Sequence, residues 1–413
     1  MVILLSDLHL ADRTSRPTID VSRLMAHLTR VITQAHDRGV RRVKLVLLGD
    51  IFELLKSTHW LTDRVRPWEA CGPIHRQTVA RILEEILSVN AKFFETLAKL
   101  AADYDFLDLC YIPGNHDRPI NTDMGQEARA LLLSKLPLPL ENGFFPVNLR
   151  DNEHRLFAHH GHDWDSHNRY VNNTAAIGDA IVIEAVVNFP RSVVKRIDRA
   201  PDDPMIEFLY ELDNLRPLTL KTIFDWVESF MPELRSDEPQ FAQVIDEAID
   251  QTRRRLRTLI KQVRFETSQG IGIRLAVVDK ALDGLGKFPG YWRSRRLVPA
   301  SGADSDDNYE EHVRDEFQNP FKAQDYRYVV CGHTHKPVAV PLLITANGGT
   351  PALKFYLNTG TWRRVHKAIR DPSKRGVGFS SSDEECLVTI WSEADQKLGY
   401  PPFEFYRLSC ARS

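Results

Sequence analysis

Eight residues with oxygen or imidazole donors recur in one setting along the chain. Asp7, His9, Asp50, Asn115, His116, His160, His333 and His335 each follow a short apolar run closely. The set contains carboxylate, amide and imidazole donors and no thiolate, the mixture that suits Mn²⁺, Fe, Zn²⁺ or Ni²⁺. Residues i and i+2 of an extended chain point the same way, so Asp7 with His9, and His333 with His335, can each face one ion. Asp50, directly after a strand and Gly49, is placed to bridge two ions. The donors are too many for one tetrahedral ion. Two ions about 3.5–4 Å apart would use them all, and such pairs clamp the attacking and leaving oxygens of a phosphoryl displacement.

The elements that must position these donors are short strands. Val2–Leu5, Val43–Leu48, 106–112, Leu156–Ala158 and 326–331 are apolar and often β-branched, and each meets Gly, Asp, Asn or His where the chain should turn. Loops at strand C-termini converge on one edge of an α/β sheet, where ligands gather. The segments 22–38 and 79–101 carry apolar residues at helical spacing, and strands alternating with helices predict an α/β fold. In the tail, 353–357, 386–391 and 403–408 read as strands of a second, more antiparallel sheet. Residues 165–325 are mostly helical in pattern and lack the strand-then-ligand signature, so they read as an inserted helical subdomain or lid. The core is then 1–164 with 326–413. Exposed loops are expected at 299–308 and 371–383.

Five pieces in order carry a resemblance. Asp7-Leu-His9, Gly49-Asp50-Ile-Phe-Glu53, Gly114-Asn115-His116-Asp117, His160-Gly161 and Gly332-His333-Thr-His335 resemble the signature of the calcineurin-like metallophosphoesterases. The resemblance implies a four-layer αββα sandwich and a dinuclear site, with manganese as the leading metal. It implies that Asp7, His9 and His335 hold one ion, that Asn115, His160 and His333 hold the other, and that Asp50 bridges. His116 would contact the substrate and protonate the leaving oxygen, with Asp117 orienting it. His162 is the alternative to His160. The segment Asn358-Thr-Gly-Thr-Trp362 resembles a late turn of the same family. Ser-Asp-Leu-His-Leu and Gly-Asp-Ile-Phe-Glu also resemble UDP-diacylglucosamine hydrolases, which typically carry Arg where this chain has His116.

These residues point to a two-metal phosphoester hydrolase, foremost a phosphodiesterase acting on a nucleotide or nucleic acid. The alternatives are pyrophosphate hydrolysis of a lipid-linked sugar nucleotide and a non-catalytic, partner-binding scaffold. Arg13 and Arg16 follow the first motif and are candidates for substrate phosphate. Arg253, Arg254, Arg255, Arg257, Lys261 and Arg264 lie mainly opposite an apolar helix face and read as solvated, with a phosphate-tracking patch as the alternative. Tyr291, Trp292, Arg293, Arg295 and Arg296 combine rings and cations suited to stacking on a nucleotide. The apolar stretch 180–187 reads as a subdomain helix, with a lipid or partner contact as the alternative.

Composition sets the outer limits. The 413 residues carry 54 Lys and Arg against 56 Asp and Glu, a net charge of −2, which excludes a globally basic nucleic-acid coat. Five widely spaced cysteines without C-x-x-C make neither a disulfide framework nor a zinc ribbon and suit a reducing compartment. No run reaches about 18 apolar residues, and the first strand leads straight into Asp7 and His9, so a cytoplasmic location is expected.

Overall fold

Aliphatic runs of four to six residues form the strands that carry the first three donor loops. They are β1 (Val2–Leu5), β2 (Val43–Leu48) and β3 (Leu107–Ile112), all parallel neighbours. The computed structural model describes residues 1–16, 19–165, 167–170, 176–200, 203–262, 306–319, 325–345, 350–370 and 377–412. The expected stacking cluster at 291–296, the loop start at 299–305 and Arg264 lie outside the described residues.

The chain is mixed α/β with two mixed sheets. The remaining strands are β4 (Leu149–Asp151), β5 (Leu156–Ala158), β6 (Leu215–Arg216), β7 (Tyr328–Cys331), β8 (Pro337–Ile344), β9 (Ala352–Thr359), β10 (Arg364–Arg370), β11 (Val377–Ile390) and β12 (Phe403–Arg412). One sheet runs β3-β2-β1-β11-β10-β6, with β12 also paired to β11; the other runs β4-β5-β7-β9-β8. The tail strands therefore do not make a sheet of their own. β9 lies parallel to β7 in the second sheet, whereas β11 pairs antiparallel with β1 in the first. Residues 377–383, expected as loop, are the outer half of β11. Their Ser-rich polarity marks a strand that pairs with β10 and β12 rather than an unpaired loop.

The alternation of each strand divides its side chains between two clusters. Val2, Leu4, Val46, Leu48 and Ile112 of the first sheet share a cluster with Leu156, Ala158, Val330 and Leu357 of the second. Ile3, Leu5, Leu45, Leu47 and Tyr111 pack instead with helices α1 (Val21–Asp37), α3 (Pro73–Val89) and α4 (Ala91–Asp103); the short α2 (His59–Thr62) precedes them. Asp20 caps α1 by accepting the Arg23 N–H at 3.0 Å. The face of α1 buries Leu24, Leu28 and Ile32, each worth about 1.5–3 kcal/mol of apolar burial. The helical pattern at 79–101 resolves into two helices. Asn90 ends the first, and its side-chain amide donates to Ile86 O and Ala11 O, which ties the break to the first donor loop.

The segment read as an insert has an apolar cluster of its own. α5 (Gln126–Leu133) precedes it. Its members are the helical run of α6 (Ile177–Ile181), wide π turns at Val182–Val187 and α7 (Asn188–Val194), followed by α8 (Pro204–Tyr210), α9 (Leu220–Asp237) and α10 (Pro239–Gln262). Between α8 and α9 the two residues of β6 pair with His366 and Lys367 of β10. α11 (Asp306–Gln318) also falls within 165–325, but its Tyr309, Val313 and Phe317 pack with Phe157, Val329 and Cys331 of the second sheet. Among the described residues, no helix is long and apolar enough to cross a membrane.

Candidate metal centre

The donor loops are fastened to one another before any ligand is considered. The backbone N–H groups of Asp7 and His9 donate to Gly49 O and Asp50 O at 3.0 and 2.9 Å. Gly332 N donates to His160 O at 2.9 Å, His333 N to Asp7 Oδ2 at 2.9 Å, and His116 N to Asp50 Oδ1 at 2.8 Å. The late turn adds a further clamp, in which Thr361 Oγ1 donates to Asp7 O and the Asn358 amide donates to Gly332 O.

Glycines make this closeness feasible. A Cβ on Gly49 would land on the His160 ring, one on Gly114 on Asp50, and one on Gly332 on Ser6 and Asp7. Five of the eight donors are not on extended chain. Asp7, His9, Asp50, His333 and His335 all have φ between +48° and +72°, the left-handed region that disfavours residues with a Cβ. Such conformations persist where surrounding bonds over-determine them, and they cluster at functional sites.

This backbone sorts the donors into three overlapping groups, each with ligand atoms within 4.8 Å of one another. They are Asp7–His9–His335, His9–Asp50–His116 and Asp50–His160–His333. Each can hold a metal ion. His333 and His335 fall in different groups, contrary to the spacing argument that faced both toward one ion, because neither is on an extended chain. His160, not His162, joins Asp50, with Nε2 at 3.2 Å from Asp50 Oδ2. His162 lies outside these groups, and its imidazole is pushed down to about 4 by burial.

Several donor-type atoms of the set make no hydrogen bond. Asp7 Oδ1, Asn115 Oδ1, His160 Nε2, His333 Nδ1 and His335 Nδ1 are buried without a hydrogen bond. Orphaned buried acceptors are costly unless something binds them. His9 Nε2 and His335 Nε2 lie 3.0 Å apart, and His335 Nε2 is 3.3 Å from Asp7 Oδ1. Burial, and then the cations Lys56 beside His9 and Arg216 beside His335, push both imidazoles well below the usual histidine range. Neutral imidazoles are the form that ligates metal. These two neutral imidazoles and the unbonded oxygens of Asp7 and Asn115 fit divalent cations.

The outer partners fix ring orientation, as is usual at metal centres. His160 Nδ1 meets Leu48 O at 2.9 Å, and His333 Nε2 meets Asp165 Oδ2 at 3.1 Å. Glu53 is central: Oε2 receives His9 Nδ1 and Oε1 receives His116 Nδ1, both at 2.7 Å, and Lys56 Nζ lies 2.6 Å from Oε2. This corrects the role expected of Asp117. Its carboxylate is taken by the backbone N–H groups of Phe52 and Ile51 at 2.8 and 3.1 Å, so it ties two donor loops together, and Glu53 orients His116. Burial and the nearby Asp50 carboxylate push the Asp117 carboxyl up to about 7.

Three further partners carry no motif. Asp165 and Asn168, which link His333 to Asn115 through their side chains, follow the His160 loop. Arg216, on β6, places Nη2 at 3.2 Å from His335 Nε2. Beside it the buried Arg363 reaches Asp213 Oδ2 at 2.9 Å, and Lys56 pairs with the same aspartate. Arg13 instead donates to Ser88 Oγ at 3.2 Å, and Arg16 pairs with Glu207 at 3.0 Å and lies over the Tyr210 ring. Arg16 lines a cavity of about 1100 Å³ whose walls include Lys56, Asp213 and Arg363.

A scan of protein-family models and a search of curated proteins found no match to this chain.

Proposed function

We propose that the protein is a two-metal-dependent phosphoesterase of the calcineurin-like type, acting on a phosphodiester. The observation that carries the reading is that Asp50 belongs to two of the three donor groups, with His9 and His116 on one side and His160 and His333 on the other. A carboxylate so shared suits a bridge between two ions. The clusters on either side of each sheet support the finer fold reading, in which α1, α3 and α4 cover one sheet, α11 covers the other, and the sheets face each other.

In this reading Asp7, His9, His335 and Asp50 would hold one ion, and Asn115, His160, His333 and Asp50 would hold the other. Bound there, two divalent ions would neutralise phosphoryl charge and lower the pKa of water toward neutrality. The chain's own part is orientation and proton transfer. Glu53 accepts from His116 Nδ1, which leaves the opposite ring nitrogen for the substrate. Burial opposes the charged form of His116, but the Glu53 and Asp50 carboxylates outweigh it and raise its pKa, so the ring can hold a proton for the leaving oxygen. Arg216 brings a fixed positive charge to the same rim.

The test uses metal-stripped protein reloaded with Mn²⁺, assayed on bis(p-nitrophenyl) phosphate and p-nitrophenyl phosphate. Diester turnover is expected, and both Asp50→Ala and His335→Ala should fall to background. Turnover of the monoester alone would replace the diester reading with a phosphatase. Full activity in both variants would refute the centre.

A further inference from the structure

The groove between residues 61–69, α7 and α10 is a recess in which basic side chains outnumber acidic ones. Its volume is about 910 Å³, and its lining includes Arg64, Arg191, Lys195, Arg254 and Arg255. Among the described residues none of these five has a carboxylate partner. The two acidic groups in the lining are already engaged: Glu184 by Arg66 at 3.2 Å and Asn188 at 2.7 Å, and Glu69 by the Arg66 N–H at 2.9 Å. Five like charges around one recess repel one another, an arrangement that an anionic ligand relieves.

Arg191 adds a second, independent observation. Its Nη1 is buried without a hydrogen-bond partner. The residue lines this groove and also the 1100 Å³ cavity walled by Lys56, Asp213 and Arg363, the ion-paired group behind Glu53. Arg191 thus joins the groove to a cavity of mixed charge, whose walls also carry Asp20, Glu207 and Glu211.

We propose that this groove binds the sugar–phosphate backbone of a single nucleic-acid strand. The inference deepens the phosphodiesterase reading, and rests on it, by naming nucleic acid as the substrate class. Guanidinium groups match phosphate oxygens in a bidentate way, and cations on opposing walls of a recess suit a strand laid along it better than a flat lipid surface. Leu61 and Leu259 are the aliphatic side chains of the lining, and neither is exposed enough to anchor in a bilayer. The basic run at 253–257 splits accordingly. Arg253 pairs with Asp250 at 2.8 Å, whereas Arg254 and Arg255 face the groove.

The experiment is fluorescence anisotropy with a labelled single-stranded oligonucleotide of about 20 nucleotides, using the full chain in EDTA so that no hydrolysis intervenes. Five phosphate contacts at about 0.7 counterions each predict a log–log salt slope of about −3.5, or about 100-fold weaker binding from 50 to 200 mM KCl. Arg254→Gln/Arg255→Gln should flatten the slope to about −2, and Arg254→Glu/Arg255→Glu should weaken binding by at least about tenfold. Arg41→Glu/Lys99→Glu, the same charge change on exposed residues outside the groove, should leave binding intact; melting curves establish that each variant is folded. Equal weakening by the control pair, or none by the groove pair, overturns the proposal. So does binding to phosphatidylserine vesicles without binding to the oligonucleotide. Absent oligonucleotide binding alongside retained bis(p-nitrophenyl) phosphate turnover refutes the groove alone. Binding with no turnover of any diester refutes the phosphodiesterase reading and leaves the groove standing.

Discussion

Replacing Glu53 with glutamine changes one oxygen for an NH₂ at the point where two imidazoles are held. Both carboxylate oxygens of Glu53 accept from a ring Nδ1, of His9 and of His116, each at 2.7 Å. A glutamine accepts from one of them and presents a donor to the other. If the donor faces His9, that ring must turn its lone pair to Nδ1 and carry its proton on Nε2, the atom 3.0 Å from His335 Nε2 and 3.9 Å from Asp50 Oδ2. A protonated Nε2 cannot ligate. If the donor faces His116, the proposed proton donor loses its orientation. Lys56 also keeps one carboxylate, Asp213, in place of two. Partners of ligating histidines are typically worth 10–100-fold in metal affinity or activity, and Glu53→Gln is expected in that range, about 1.4–2.7 kcal/mol. Glu53→Ala leaves a buried lysine and two imidazoles without their acceptor and should cost about 3–5 kcal/mol of folding stability. Calorimetric titration of Mn²⁺ into the chelated protein and urea unfolding measure the two effects. Mn²⁺ affinity within threefold of wild type in Glu53→Gln, with unchanged diester turnover, would refute the claim that Glu53 sets the ligand tautomer.

Gly332→Ala places a Cβ on Ser6 Oγ and 2.6 Å from Asp7 Oδ2. It should cost about 1–3 kcal/mol by overpacking and lower hydrolysis by displacing Asp7, whereas Gly143→Ala, with open space around its Cβ but a φ of +83°, should cost about 1–2 kcal/mol by backbone strain and spare activity; thermal melts and diester assays compare the two. His27, packed on Tyr406 with ring centroids 4.2 Å apart, is pushed down to about 4 by burial and then by Arg30 and Arg23. Below about pH 6.5 the unfolded chain takes a proton that the folded chain refuses, so stability falls between pH 6.5 and 4, by about 1–2 kcal/mol after allowing for the ring's partial exposure. Unfolding free energies against pH should show this component missing in His27→Gln; an unchanged slope would remove His27 as its source.

The donor loops were legible because each strand ends abruptly, as where Leu48 meets Gly49-Asp50 and Ile112 meets Pro113-Gly114-Asn115. A uniform apolar run followed by polar turn residues is a local signal. The partners of the donors are not local. Glu53 meets His116 across 63 residues, and Arg216 meets His335 across 119. No periodicity encodes such contacts; they follow from how β6 pairs with β10 and how the second donor loop lies against the third. Glu53 was visible as part of its motif, but its double acceptor role depends on two rings converging from separate strands. The break at Asn90 was hidden because the apolar spacing continues through it, and only the amide's bonds to Ile86 and Ala11 show why the helix stops. The strand at 377–383 was hidden for the opposite reason, since a Ser- and Gly-rich stretch pairs through its backbone whatever its side chains.

The left-handed conformations at Asp7, His9, Asp50, His333 and His335 set stability and function against each other within single residues. Each costs about 1–2 kcal/mol that glycine would not incur, and glycine has no donor to offer. A population of variants selected for heat resistance alone would accumulate glycine at these positions and lose the centre, while one selected for activity must keep the strain and recover stability elsewhere, in the helices and the strand pairs.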